Sequence, residues 1–190
     1  MLLKSPPLLG FCAYSGTGKT TLLTQLIPVL KEHGLKIGLV KHAHSGFDTD
    51  LPGKDSYKLR KAGACEMLVA SAKRWALVHE TPEKTRDPVL EELLPHLSLE
   101  DLDLVLVEGF KHESLPKIEL HRPSLGKPYL FPNVPGIIAL ATDLAPREDI
   151  EIPVLDLNKI DEIAEFIIGV YFLMMNSAIS SILFKSRTGI

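Results

Sequence analysis

Residues 8–30 read LLGFCAYSGTGKTTLLTQLIPVL. The stretch opens on an apolar run, Leu8 to Cys12, of a length that suits one strand. Small residues follow, Ala13-Tyr14-Ser15-Gly16-Thr17-Gly18, and then Lys19, Thr20 and Thr21. Beyond them apolar residues recur at Leu22, Leu23, Leu26, Ile27 and Leu30 with the period of a helix. Strand, glycine loop, Lys-Thr and helix is the order that a phosphate-binding P-loop requires. The glycines let backbone N–H groups turn inward around a polyphosphate, and the helix start adds unpaired N–H groups and the positive end of its dipole. Ser15, Gly16, Thr17, Gly18, Lys19, Thr20 and Thr21 are therefore the candidate nucleotide-binding residues. Lys19 would reach the β- and γ-phosphates as a point charge, and Thr20 would offer its hydroxyl to Mg²⁺. Ala13 stands where the first glycine of G-x-x-x-x-G-K-[ST] belongs, a place alanine can fill while its φ stays negative. A glycine-rich turn before an ordinary helix is the plainer reading, but the flanking strand and helix patterns favour the P-loop. The motif is silent on the base.

Around this stretch, composition sets the bounds. A chain of 190 residues suits one domain with a full core, and a formal net charge of -3 argues against bulk nucleic-acid binding. Cys12 and Cys65 lie in apolar runs rather than at metal or disulfide spacings, which predicts two buried thiols in a reducing compartment. MLLKSPPLLGF lacks the apolar core and cleavage site of a signal peptide, so the cytoplasm is expected. From Phe166 to Phe184 no residue is charged, a length that can span a membrane, but Asn176, Ser177, Ser180 and Ser181 interrupt it. A packed terminal helix with a loosely ordered tail is favoured over a span. The expected organisation is a domain over 1–171 and an apolar tail over 172–190.

Further along, His33-Gly34 reads as a helix stop and Leu35 to Lys41 as an apolar strand of the kind found centrally in parallel sheets. The polar segment from His42 to Ser56 leaves the carboxyl end of that strand, where open α/β sheets hold ligands, so it should face the nucleotide. Asp55 to Ala62 reads as a helix capped by Asp55 or Ser56. Glu66 to Ala70 and Arg74 to His79 read as a hairpin added to the parallel sheet, and Asp87-Pro88 as the opening of a helix over Val89 to Leu97. Lys117 to His121 alternates polar and apolar residues, the pattern of a half-exposed or edge strand. Gly136 to Ala141 and Ile152 to Leu155 are further strands, and Asp161 opens the last helix. The alternation predicts an α/β chain: a three-layer P-loop NTPase fold, its sheet mostly parallel with an antiparallel addition.

The second strong signal is Leu102 to Gly109, LDLVLVEG, an apolar strand ending in an acid. That is a Walker B pattern with glutamate in place of the commoner aspartate, and Glu108 would hold Mg²⁺ directly or through water. Thr20 and Glu108 are thus the candidate metal residues, and Lys19, Asp50 and Glu108 the candidate catalytic ones. Asp48 and Asp50 lie on a mobile loop from which a carboxylate can reach metal or attacking water. His42 and His44 have a spacing usable for metal, but two imidazoles make a weak zinc site. Lys111 and His112 can meet an anion or simply face solvent. Two segments can read guanine. Asn158-Lys159-Ile160-Asp161 matches N-K-x-D, although Asn158 also falls where a helix cap is expected. Asp143 closes a buried strand, where its carboxylate can accept both N–H groups of the guanine edge; it is the preferred candidate.

With these pieces in place the chain resembles the molybdopterin-guanine dinucleotide biosynthesis adaptor family, MobB. SGTGKTTLL at 15–23, VKHAH at 40–44, DLPGKDSYKLRKAGA at 50–64 and LVEGFKHESLPKIELHR at 106–122 carry the resemblance, with ATD at 141–143 a weaker fifth segment. The P-loop is common to many families, whereas GKDS together with VEGFKHE is particular. The match spans about Leu8 to Ile168 and leaves out the tail. The resemblance implies GTP and Mg²⁺ as ligands, weak GTPase activity and a homodimer. It also implies a role assisting the molybdopterin guanylyltransferase, and so contact with the molybdenum-cofactor enzymes of the pathway; the charge argues against a nucleic-acid partner and the interrupted tail against a membrane. The alternative is a P-loop kinase acting on a small acceptor. A kinase usually closes an arginine-dense lid, and Arg60, Arg74, Arg86 and Arg122 are scattered.

Overall fold

A computed structural model of the protein describes residues 5–43, 47–83, 86–144 and 150–188, with side chains as far as residue 176. In chain order the elements are β1 (Leu8–Cys12), α1 (Lys19–Glu32), β2 (Ile37–Lys41), α2 (Asp55–Lys61), β3 (Glu66–Ser71), β4 (Arg74–His79) and α3 (Leu90–Leu93). They continue as β5 (Leu104–Glu108), β6 (Lys117–His121), β7 (Ile137–Thr142), β8 (Val154–Asp156) and α4 (Ile160–Thr188), with short 3-10 turns at Leu94–His96, Leu99–Asp101 and Pro123–Leu125. The chain divides into two compact units, Met1–His42 with Leu90–Ile190, and Ala43–Val89.

The first unit is built on a six-stranded sheet in the order β2-β5-β1-β6-β7-β8. All its pairings are parallel. Side chains alternate across a strand, so β1 sends Leu9 and Phe11 to the same face as Leu104, Leu106, Ile118 and Leu120. That face packs on Leu22, Leu23, Leu26 and Leu30 of α1 and on Ile163, Ala164 and Ile167 of α4. On the other face Val40, Val105 and Val107 meet Leu90, Phe110 and Leu115. α1 and α4 thus cover one face, and the short α3 with the segment after β5 covers the other, so both are buried as a parallel sheet needs. α1 carries Pro28 within it and stops as its sequence indicates, with Gly34 at φ 84 and the Leu35 N–H donating to the Leu30 carbonyl at 3.2 Å.

The second unit holds α2 and the β3–β4 hairpin, in register from Glu66 opposite His79 to Ser71 opposite Arg74. This antiparallel pair is a sheet of its own and does not join the parallel one. Its strands are exposed almost throughout, so their apolar residues reflect an uncovered face rather than a sheet interior.

Other local expectations are corrected by packing. β6 is neither edge nor half-exposed: it lies between β1 and β7, and all five residues are buried. Two of its three polar side chains are satisfied inside, while His121 meets the Lys127 carbonyl through Nε2 at 2.9 Å and leaves Nδ1 without a partner. Lys117 Nζ donates to the carbonyls of Glu113 at 2.5 Å and Leu115 at 2.9 Å, and Glu119 accepts the N–H groups of Leu130 and Phe131, each at 2.8 Å. β2, expected centrally, is an edge strand, with β8 at the other edge. The helix expected over Val89 to Leu97 is one turn of α3 followed by a 3-10 turn, where Pro95 supplies no N–H. α2 is capped by Lys54 with no side-chain bond, not by Asp55 or Ser56. Cys12 is buried, its thiol pushed up to about 12 by burial first and by the charge of Glu119 second, but Cys65 is exposed. Among the described residues no helix is long and apolar enough to cross a membrane.

Candidate functional site

Register decides what meets at the carboxyl end of the sheet. Phe11 of β1 and Lys41 of β2 both stand opposite Glu108 of β5, so the P-loop, Lys41 and Glu108 leave the sheet side by side. Gly16 at φ 81 and Gly18 at φ 100 turn the loop. A Cβ on Gly16 would meet nothing within 4 Å, so conformation and not crowding requires glycine there. Ala13 stays clear of the left-handed region, because among the described residues Phe110 is the one non-glycine with positive φ. No side chain caps α1, which leaves its first N–H groups to the loop.

Lys19 reaches back over the loop, Nζ donating to the carbonyl of Ala13 at 3.2 Å and lying 3.5 Å from that of Tyr14. Burial holds its ammonium below the ordinary lysine range, with Glu108 opposing. Thr17 is buried and donates its hydroxyl to the Tyr14 carbonyl at 2.8 Å, so it braces the loop. Thr20 turns the other way: its hydroxyl donates to Glu108 Oε1 at 3.1 Å. Lys41, which the motifs did not single out, donates to Thr20 Oγ1 at 3.1 Å and pairs with Glu108 Oε2 at 3.2 Å. Its signal in the sequence was a lysine closing an apolar strand. After Glu108 the chain turns through Gly109 at φ 90 and Phe110 at φ 48, and the Phe110 ring lies 5.0 Å from that of His42. A Cβ on Gly109 would come within 3.0 Å of the His42 Cβ, so glycine is required there twice over. Lys111 and His112 are exposed.

At the ends of β6, β7 and β8 two cavities share Asn158. One, of about 160 Å³, is lined from Gly18 and Thr21 across Arg122 to Leu157, Asn158 and Ile160. The other, of about 250 Å³, is lined by Asp143, Leu144, Val154, Asp156, Asn158, Lys159 and Glu162. Both segments that the sequence offers for guanine, Asp143 and Asn158-Lys159, therefore border the same cavity. Asn158 does not cap α4; it donates its N–H and its side-chain amide to Asp156 Oδ1 at 2.9 and 3.2 Å. Arg122 donates through Nε to the Thr17 carbonyl at 3.0 Å and through Nη1 to Asp143 Oδ2 at 2.7 Å. That contact was not read from the sequence, where Arg122 counted only as one scattered arginine.

In the second unit Asp50 accepts the Ser56 hydroxyl at 3.1 Å and lies 3.6 Å from Arg60 Nε. Arg60 is buried and also pairs with Asp48, and with Glu80 at 2.5 Å. The Glu80 bond above all raises its pKa. Asp48 is held below the usual carboxylate range, first by the Asp50 N–H and then by Arg60. Asp55 pairs with Lys58 at 3.5 Å on the surface. Among the described residues no group of three His, Cys, Asp or Glu is placed to hold a metal, and His44 lies outside the described residues.

Comparison with known proteins agrees with this arrangement. The family model for molybdopterin guanine dinucleotide synthesis protein B, MobB, matches residues 8–143. The chain is 47% identical over 163 residues to the molybdopterin-guanine dinucleotide biosynthesis adapter protein of Escherichia coli K12, covering 85% of this chain and 91% of that one. It is 43% identical over 162 residues to the protein of the same name from Haemophilus influenzae, covering 85% and 87%. A crystal structure of molybdopterin-guanine biosynthesis protein B superposes with a TM-score of 0.66 at 28% identity, over 86% of this chain and 99% of that one. By matched length, identity and fold alike, the chain belongs to the MobB family.

Proposed function

We propose that the protein is an adapter in molybdopterin guanine dinucleotide biosynthesis that binds GTP with Mg²⁺ and hydrolyses it slowly. On this reading it works as a cytoplasmic homodimer and assists the guanylyltransferase that joins GMP to molybdenum-bound molybdopterin, with residues 1–171 as its binding region. The observation that carries the reading is the meeting of Thr20 and Glu108, 3.1 Å apart, beside a P-loop whose lysine already lies across it. Two hard oxygen donors suit Mg²⁺, which takes one or two protein oxygens and completes its shell with phosphate and water. When bound, the ion would neutralise phosphate charge.

The chain's own groups do the rest. Loop and helix N–H groups receive the phosphates, and Lys19 exchanges its carbonyl partners for phosphate oxygens. Glu108 orients the hydroxyl of Thr20. Asp143, past the end of β7, accepts N1–H and N2–H₂ of guanine, which adenine cannot supply. Asp50 is assigned to the attacking water or the metal. Slow turnover fits the arginines: Arg60 is committed to carboxylates, and Arg122 to Thr17 and Asp143.

Titration with GTP and with ATP, with and without Mg²⁺, tests the reading. Mg²⁺-supported GTP binding with much weaker ATP binding is expected. An ATP preference, or fast acceptor-dependent phosphoryl transfer, would replace the adapter with a small-molecule kinase.

A further inference from the structure

We propose that Arg122 is a positioning residue for base selectivity, linking the phosphate loop to the carboxylate that reads guanine. The inference rests on the assignment of Asp143 to the base.

Two bonds of one guanidinium make the link. Nε donates to the carbonyl of Thr17, inside the P-loop, at 3.0 Å, and Nη1 donates to Asp143 Oδ2 at 2.7 Å. The partners lie 105 residues before and 21 residues after Arg122. Arg122 lines the cavity that begins at Gly18 and Thr21, and Asp143 lines the neighbouring cavity that shares Asn158. The arginine thus stands between the place for phosphates and the place for the base.

The chemistry explains why such a link matters. A guanine edge presents two N–H donors, so a carboxylate reads it only when both oxygens lie in the plane of the ring. The last torsion of an aspartate is soft, with no staggered wells to hold that plane. A planar guanidinium fixed at one end to backbone supplies the missing constraint, which a lysine cannot do. Each carboxylate oxygen accepts two hydrogen bonds, so Oδ2 can keep Arg122 and still accept from guanine. Thr17 is buried, so its carbonyl is a fixed anchor.

The test compares GTP and ATP affinity, with Mg²⁺, in the parent chain, Arg122→Gln, Arg122→Lys, Asp143→Ala and the Arg122→Gln/Asp143→Ala double variant. Arg122 is half-buried at the surface, so these variants should fold, and thermal melts check that. Arg122→Gln should lower the GTP-to-ATP affinity ratio about tenfold, the effect of roughly 1.4 kcal/mol of differential binding. ATP affinity should barely move, and Arg122→Lys should restore only part of the ratio. In the Asp143→Ala background Arg122→Gln should have no further effect on the ratio. A parallel loss of GTP and ATP affinity, or an undiminished effect without Asp143, would overturn the inference and make Arg122 a phosphate or loop residue. If Asp143→Ala itself leaves the ratio unchanged, the base assignment fails first and the inference falls with it.

Discussion

Lys19 lies across the glycine loop. Its ammonium rests on backbone carbonyls, and burial draws its pKa below the ordinary value. A triphosphate beside it would raise that pKa again, so binding at alkaline pH takes up a proton. The sign follows: GTP affinity should be fullest below the pKa of the free site, and should fall as pH rises through it towards the pKa of the complex. Titration from neutral pH to about pH 10, close to the ordinary lysine pKa, reads this directly. A flat profile would place the phosphates elsewhere. Lys19→Ala should cost about ten- to a hundredfold in GTP affinity, the range of a charge-assisted bond, with unchanged thermal stability. For Glu108→Gln the loss should fall on Mg²⁺-dependent turnover more than on binding; equal hydrolysis by variant and parent would remove its metal role. The meeting of Thr20 with Glu108 was foreshadowed by two local signals, the Gly-Lys-Thr loop before a helix and an apolar strand ending in an acid. The contacts of Lys41 and Arg122 carried no such signal, since they arise only when β2 and β5 align Lys41 with Glu108 and when the ends of β6 and β7 bring Arg122 to Asp143.

Strand β6 shows how an element can carry a polar pattern and still be core. Lys117, Glu119 and His121 share one face of a central strand, and each is buried. Burial lowers the pKa of Lys117 and raises that of Glu119, in the latter case against the pull of two backbone N–H groups. Neighbouring strands make room for them. A Cβ on Gly10 would come within 2.6 Å of Lys117 Cγ and 3.2 Å of Leu115 Cδ1. Gly10→Ala should therefore destabilise by about 1–3 kcal/mol, as overpacking does. In a Lys117→Ala background most of that cost should vanish, which urea unfolding of the four chains can measure. An undiminished cost would mean that β1 itself, not the lysine stem, needs the glycine. Alternation of polar and apolar residues marks exposure only where water satisfies the polar ones. In β6 the carbonyls of Glu113 and Leu115 and the N–H groups of Leu130 and Phe131 take its place, partners that no local pattern reveals. β1, β5 and β7 were legible for the converse reason: nearly every residue is apolar, and only a sheet covered on both faces explains such strands.

At the scale of the molecule, the β3–β4 hairpin leaves bulky apolar side chains exposed. Glu66, Leu68 and Ala70 share a face with His79, Leu77 and Trp75 through their register. Leu68 is 63% exposed, Trp75 60% and Leu77 43%, although each is bulky and apolar. An isolated two-stranded hairpin is marginal in water, and its unpaired edges invite another strand. A contiguous apolar patch of this kind marks an interaction surface more often than chance exposure. The homodimer proposed above supplies such a surface from a second copy of the same hairpin. Trp75 is the chain's single tryptophan, so its emission reports on the hairpin alone. On dilution of the parent chain from high to low concentration, sedimentation should pass from dimer to monomer while the emission shifts to the red as Trp75 meets water. The double variant Leu68→Lys/Leu77→Glu should be monomeric throughout, with red-shifted emission at every concentration. Its GTP affinity should match that of the parent, because the P-loop, Glu108 and Asp143 all belong to the other compact unit. A parent chain that stays monomeric at all concentrations would end the homodimer proposal. A dimer that survives the double variant would move the interface away from the hairpin.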